Sequence, residues 1–162
     1  MNVLHSKLKI AHLDLKLENI LIGDDGKLKI CDFGMTYSID DLIRKQHGTK
    51  FYCAPEIHTV GDYNPYMGMP ADIFSLGMIL FILAFGAPPI SMASNNDPNY
   101  RIFKRNPQKF WQNHPNVKKS QRGKNGLDQD LVDLLTKMLA DSPQTRPQTM
   151  NDVMSHPFFT KD

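Results

Sequence analysis

His12-Leu13-Asp14-Leu15-Lys16-Leu17-Glu18-Asn19, HLDLKLEN, puts an acid, a base and an amide within six residues and spaces them with leucines. Reading outward from it decides the fold. Downstream, Ile20-Leu21-Ile22, then Gly23-Asp24-Asp25-Gly26, then Lys27-Leu28-Lys29-Ile30-Cys31 reads as a short β-hairpin. Its second arm alternates charged and apolar side chains, which predicts one buried face, and Asp25-Gly26 supplies the turn. Asp32-Phe33-Gly34 follows directly. Residues 34 to 53 show no clean period and read as a long loop. Residues 54 to 59 read as one helical turn.

The chain has 162 residues, 41% hydrophobic and 22% charged, which suits one globular domain with a single core. A net charge of +2 is too small to argue for nucleic acid or an anionic membrane. Cys31 and Cys53 have no metal spacing and read as reduced thiols of a cytoplasmic or nuclear protein. No signal peptide is visible at the N-terminus. One run, Ile73 to Ile90, lacks charges for about the length of a bilayer span. It contains Ser75 and Gly77, ends at Pro88-Pro89 and lacks Lys or Arg flanks, so it reads instead as the central helix of a core, starting at Pro70.

Residues 91 to 126 read as polar and irregular, with Pro107 and Pro115 breaking any long helix and Pro98 opening a short one to about Lys104. Lys118 to Gly126, KKSQRGKNG, reads as a solvated basic loop, since no aromatic residues interleave it. Leu131, Leu134, Leu135, Met138 and Leu139 mark an amphipathic helix with Asp128 as its cap. A last helix is predicted near Gln148 to Ser155, ending at Pro157.

Phosphoryl transfer asks a protein for metal ions held on the phosphates, positive charge on the transferring group and a carboxylate beside the incoming hydroxyl. Asp14 can accept the hydroxyl proton, Lys16 can lie against the phosphoryl group, and Asn19 offers an oxygen to Mg²⁺. Asp32, after the hairpin, is the candidate second metal ligand. The order His12-Leu13-Asp14-Leu15 with Asn19, then Asp32-Phe33-Gly34, then Ala54-Pro55-Glu56 resembles the H-R-D-L-x-x-x-N, D-F-G and A-P-E series of eukaryotic protein kinases. Lys16 is similar to the serine/threonine type.

The resemblance implies a mainly α, kinase-like C-terminal lobe with a small β-hairpin beside the catalytic loop. It covers residues 1–159, with 160–162 as a tail. It implies ATP and Mg²⁺ as cofactors and a protein Ser/Thr hydroxyl as acceptor, with no nucleic acid and no membrane span. Asp14, Lys16 and Thr49 take catalytic roles, with Thr49 bonding Asp14 and Lys16. Leu21 lies beneath the adenine, and Asn19 and Asp32 hold metal. His12, Phe33, Gly34, Glu56, Asp72 and Arg146 are structural: His12 packs near Phe33, Asp72 braces the catalytic loop, and Arg146 pairs with Glu56.

The sequence also departs from the family pattern. Many relatives carry, at the place of Leu13, an Arg that neutralises a phosphate on the activation segment. Leu13 cannot, and Lys45 stands where the phosphorylated Thr often sits. Activity is therefore expected not to depend on phosphorylation there. Glu18 is similar to an acid that favours basic residues in the substrate, where it would pair with an Arg of the peptide. No G-x-G-x-x-G and no V-A-I-K occurs. The expectation is that the N-terminal lobe is missing and must be supplied elsewhere, leaving apolar surface exposed. Two functions stand: a serine/threonine kinase catalytic lobe, and a non-catalytic pseudokinase-like binding module.

Overall fold

Asp72 sits one turn inside an 18-residue helix of almost wholly apolar sequence, and that helix organises the molecule. In the computed structural model, which describes residues 1–121 and 126–161, this helix, α2, spans Gly68–Phe85. It starts two residues earlier than Pro70 predicts and ends at Gly86, whose N–H returns to the Ile82 carbonyl at 2.8 Å. Long and apolar enough to cross a membrane, it is instead wrapped by protein: Ile73, Phe74, Met78 and Phe81 are completely buried. Gly77 lets Met138 and Leu139 approach, since an added Cβ would meet both at 3.0 Å.

Around α2 the chain is mainly helical, as expected. After a helical segment at Val3–Leu8, the short strand β1 (Ile10–Ala11) leads into the HLDLKLEN loop. A helical turn at Leu17–Asn19 passes into the hairpin of β2 (Ile20–Ile22) and β3 (Leu28–Ile30), with Ile20 opposite Ile30 and Ile22 opposite Leu28. The hairpin forms where predicted, but its apolar face is covered only at one end: the Ile20–Ile30 pair packs on the core, whereas Ile22 is 78% and Leu28 71% exposed. Alternation promises burial only where another layer covers the face, and toward the turn none of the described residues does.

The stretch read as one long loop contains two small strands. β4 (Tyr37–Ser38) pairs with β1, and β5 (Leu42–Ile43) pairs with β6 (Tyr66–Met67), all antiparallel. Two-residue strands are too short to show a period. The predicted helical turn is α1, Pro55–His58.

The region from 91 to 121 is more regular than predicted. α3 (Pro98–Arg105), α4 (Pro107–Asn113) and α5 (Pro115–Ser120) each begin with proline. Pro107 and Pro115 do interrupt any long helix, and each also starts a new short one, because the first helical residue needs no N–H partner and proline presets its φ. The predicted basic loop overlaps the end of α5, and its residues 122–125 lie outside the described residues. α6 (Gln129–Met138) is capped by Asp128, which accepts from the Asp130 and Leu131 N–H groups. α7 (Met150–Met154) is shorter than predicted and opens on a Thr149–Asp152 capping box, and a further short helix, α8 (Pro157–Thr160), follows it.

Candidate active site

The HLDLKLEN loop is tied both to the central helix and to the segment that follows the hairpin. Asp72, 1% exposed, accepts the His12 N–H at 2.7 Å and the Leu13 N–H at 2.8 Å, one on each carboxylate oxygen. His5 Nε2 lies 2.9 Å from the same carboxylate. His12 Nδ1 accepts the Asp14 N–H at 3.2 Å, which leaves Nε2 to donate to the Cys31 carbonyl at 3.0 Å. The Cys31 N–H donates to the Asn19 carbonyl at 3.0 Å, and the His12 ring packs on Phe33 with centroids 5.3 Å apart. The segment carrying Asp32, Phe33 and Gly34 is thereby drawn beside the loop.

These ties also hold two unfavourable backbone conformations. Leu13 has φ 65° and Asp32 φ 64°, in the left-handed region that residues with a side chain seldom adopt. Each costs about 1–3 kcal/mol. The hydrogen bonds of Asp72 hold the first in place, and those of Cys31 flank the second.

Within this frame Asp14, Lys16, Thr49 and Asn19 meet. One Asp14 oxygen accepts from the Thr49 N–H at 2.8 Å and the Thr49 hydroxyl at 2.7 Å. The other accepts from Lys16 Nζ at 2.8 Å and Asn19 Nδ2 at 3.4 Å. Lys16 Nζ also donates to Thr49 Oγ1 at 3.2 Å. Burial pushes the Asp14 carboxyl up, but the bonds from Lys16 and Thr49 outweigh it and hold the group below the usual carboxylate range. The hydrogen bond to Asp14, aided by the charges of Asp14, Glu18 and Asp32, holds the Lys16 ammonium above its ordinary value. At neutral pH the site therefore presents a carboxylate and an ammonium side by side.

Asn19 is buried, and its Nδ2 is spent on the Asp14 carbonyl at 2.9 Å, so Oδ1 is the atom left to face a cation. Asp32 is exposed; its carboxylate accepts only the Gly34 N–H, at 3.4 Å, among the described hydrogen bonds. Its charge is one of those that hold the Lys16 ammonium up. Among the described residues no three His, Cys, Asp or Glu side chains form a metal cluster. One carboxylate and one amide oxygen suit Mg²⁺, which keeps several waters and completes its shell with phosphate oxygens.

The other predicted residues lie apart from this group. Leu21 stands on the hairpin, 51% exposed. Glu18 is exposed, and Tyr52 lies close enough for its hydroxyl to feel that carboxylate. Glu56 and Arg146 form a separate anchor: two parallel bonds of 2.7 Å join guanidinium to carboxylate. Arg146 also donates to the carbonyls of Ala140, Pro70 and Asp141 and stacks 5.0 Å over Phe74.

Residues 1–159 match the protein kinase domain. The chain belongs to the protein kinase family. It is 33% identical over 160 residues to a probable cell cycle serine/threonine-protein kinase, the CDC5 homolog of Encephalitozoon cuniculi, covering 98% of this chain and 31% of that protein. It is 34% identical over 159 residues to the serine/threonine-protein kinase kin-29 of Caenorhabditis briggsae, covering 96% of this chain and 17% of the relative. Protein kinase kin1 of Schizosaccharomyces pombe is 30% identical over 164 residues, 100% of this chain and 16% of that one. The chain thus spans less than a third of the length of these relatives.

Two parts of this kinase site escaped sequence reasoning. His5 reaches Asp72 across 67 positions, and no local pattern announces such a pair. Gly48 has φ 88°, and a Cβ there would lie 2.4 Å from the Leu13 carbonyl oxygen, so the chain before Thr49 touches the HLDLKLEN backbone directly. A glycine next to a site threonine in a polar loop was the available signal.

Proposed function

We propose that this chain is the catalytic lobe of a serine/threonine protein kinase, transferring the γ-phosphate of ATP to protein Ser or Thr hydroxyls. The observation that carries the reading is the Asp14 carboxylate, kept ionised and bonded by Lys16 and Thr49, with Asn19 beside it. Asp14 aims the incoming hydroxyl and accepts its hydrogen bond. Lys16 lies next to it, where the transferring group carries its negative charge. Thr49 fixes the carboxylate plane through two bonds, so Asp14 need not reorganise. Asn19 and Asp32 would hold Mg²⁺, which when bound neutralises charge on the phosphates. Leu21 offers an apolar contact to the base, and Glu18 a carboxylate to a basic substrate residue. The family also covers the phosphates with a Gly-rich loop and a strand Lys, neither of which occurs in this sequence.

The test is transfer of radiolabelled γ-phosphate to Ser/Thr peptides by the protein expressed from its full transcript. Asp14→Asn should lower kcat at least ~100-fold while leaving the fold intact. Equal rates in the two proteins would overturn the reading. A second reading is a pseudokinase-like module that binds protein without turnover. It would be supported by peptide binding that ignores Mg-ATP in a protein showing no transfer.

A further inference from the structure

Charge is unevenly distributed along this chain. Between Pro98 and Leu127 the sequence holds Arg or Lys at eight positions and no Asp or Glu. The other residues hold eleven of the nineteen cations against all seventeen acids, so a basic segment is set in an acidic remainder. The described part of that segment is the α3–α4–α5 unit, whose helices pack on one another in sequence.

A cleft of about 390 Å³ opens at the α3–α4 junction, lined by Pro98, Arg101, Ile102, Arg105, Asn106 and Lys109. Arg101, Arg105 and Lys109 are all exposed, and among the described residues none makes an ion pair. Arg101 spends one N–H on the Asn95 carbonyl at 3.2 Å. The neighbouring Lys104 differs, since Asp141 pairs with it at 2.8 Å. Helix electrostatics account for Arg105, in the last turn of α3, but not for the others. Lys109 stands in the first turn of α4, whose N–H groups already make that end positive, and Asn106 caps its N–H at 2.9 Å. A cation there opposes the helix dipole, so its placement calls for another reason.

We infer that the α3–α4 cleft is a docking site for an acidic peptide segment of a partner protein. Three cations at four-residue spacing line it, and Ile102 and Pro98 give an apolar floor for a side chain between the acids. The alternatives fit less well. Tyr100, Phe103, Phe110 and Trp111 are all buried, so the basic surface has no aromatic platform for stacking bases. No large apolar side chain on α3, α4 or α5 is exposed to enter a bilayer. The cleft is lined by none of the Asp14 group, and the inference does not rest on the proposed function.

The experiment measures fluorescence anisotropy of a labelled peptide alternating Asp or Glu with Leu, against the same peptide with Asn and Gln. The acidic peptide should bind, and its Kd should rise with salt. The triple variant Arg101→Gln, Arg105→Gln, Lys109→Gln should weaken it roughly tenfold. A control with Lys7, Lys27 and Lys50 changed to Gln, equal in charge but elsewhere, should stay within about twofold. Equal losses in both variants, or no preference for the acidic peptide, would overturn the proposal. So would binding of phosphatidylserine vesicles or single-stranded DNA through these three residues without binding of the peptide. Far-UV dichroism of each variant guards against unfolding, and the single change Arg105→Gln gives a milder version of the test. Because binding is read without phosphoryl transfer, an inactive kinase that still binds the acidic peptide would leave this site standing.

Discussion

Replacing Asp72 by Ala removes one carboxylate and leaves two main-chain N–H groups, of His12 and Leu13, without partners in a buried place. An unsatisfied buried donor costs about 1–3 kcal/mol, so the two cost about 2–6 kcal/mol together. Leu13 loses the bond that holds its left-handed conformation, which places the loss in the upper part of that range. In a domain of this size each kcal/mol lowers Tm by about 2–4 °C, so a fall of roughly 10 °C or more is expected. Asp72→Asn keeps the shape and one acceptor oxygen but turns an amide N–H₂ toward the second donor. It should cost about half as much as the alanine. Urea melts followed by circular dichroism at 222 nm give both numbers. A stability for Asp72→Ala within about 1 kcal/mol of the parent would refute the idea that this carboxylate holds the loop. An asparagine variant less stable than the alanine would refute the donor count.

Four further outcomes follow from other contacts. Gly48→Ala forces a Cβ against the Leu13 carbonyl at a positive φ and should cost at least about 1–3 kcal/mol, whereas unchanged urea stability would show that the segment can shift away. Asp14 has a lowered folded-state pKa, so its contribution to stability is present above its unfolded value near 4 and is lost as pH falls below that. Thermal melts of Asp14→Asn should therefore show a shallower acid limb than the parent. Arg146→Lys keeps the charge but gives up the paired bonds to Glu56 and strands buried carbonyls. About 3–5 kcal/mol of destabilisation is expected in the same urea assay, and a loss under 1 would contradict the anchor. Burial pushes the Cys53 thiol up to about 12, while Cys31 is half-buried, so a thiol reagent at mildly alkaline pH should label Cys31 alone until the chain is unfolded.

What could be read in the sequence was what lies close together along it. Asp14, Lys16 and Asn19 share one loop, so their type and spacing already contained the site, and Thr49 needed only the family pattern. The central helix was visible because a charge-free run of that length can do little else than form a core or a membrane span, and Ser75, Gly77 and the Pro88-Pro89 pair pointed to the core. Pro107 and Pro115 marked the breaks correctly, but the short helices between them were missed, because a proline that ends one helix can also open the next. The hairpin was legible from its turn, but the exposure of Ile22 and Leu28 was not, since periodicity reports which side chains share a face and not what lies opposite. His5 with Asp72, and Gly48 with Leu13, are contacts made by folding over long separations, and no window of sequence holds both partners.

Leu13 gives one more consequence. Its side chain is buried, and a Cβ on Gly68 would touch Leu13 Cδ2 at 3.3 Å and Ile43 Cδ1 at 3.4 Å, so the two meet where the central helix begins. The stretch between Asp32 and Thr49 is thus pinned to the loop by grease rather than by a counter-ion. Such a contact is indifferent to ionic strength, but it weakens on cooling and in alcohols or urea, so this part of the stretch should loosen with solvent and temperature.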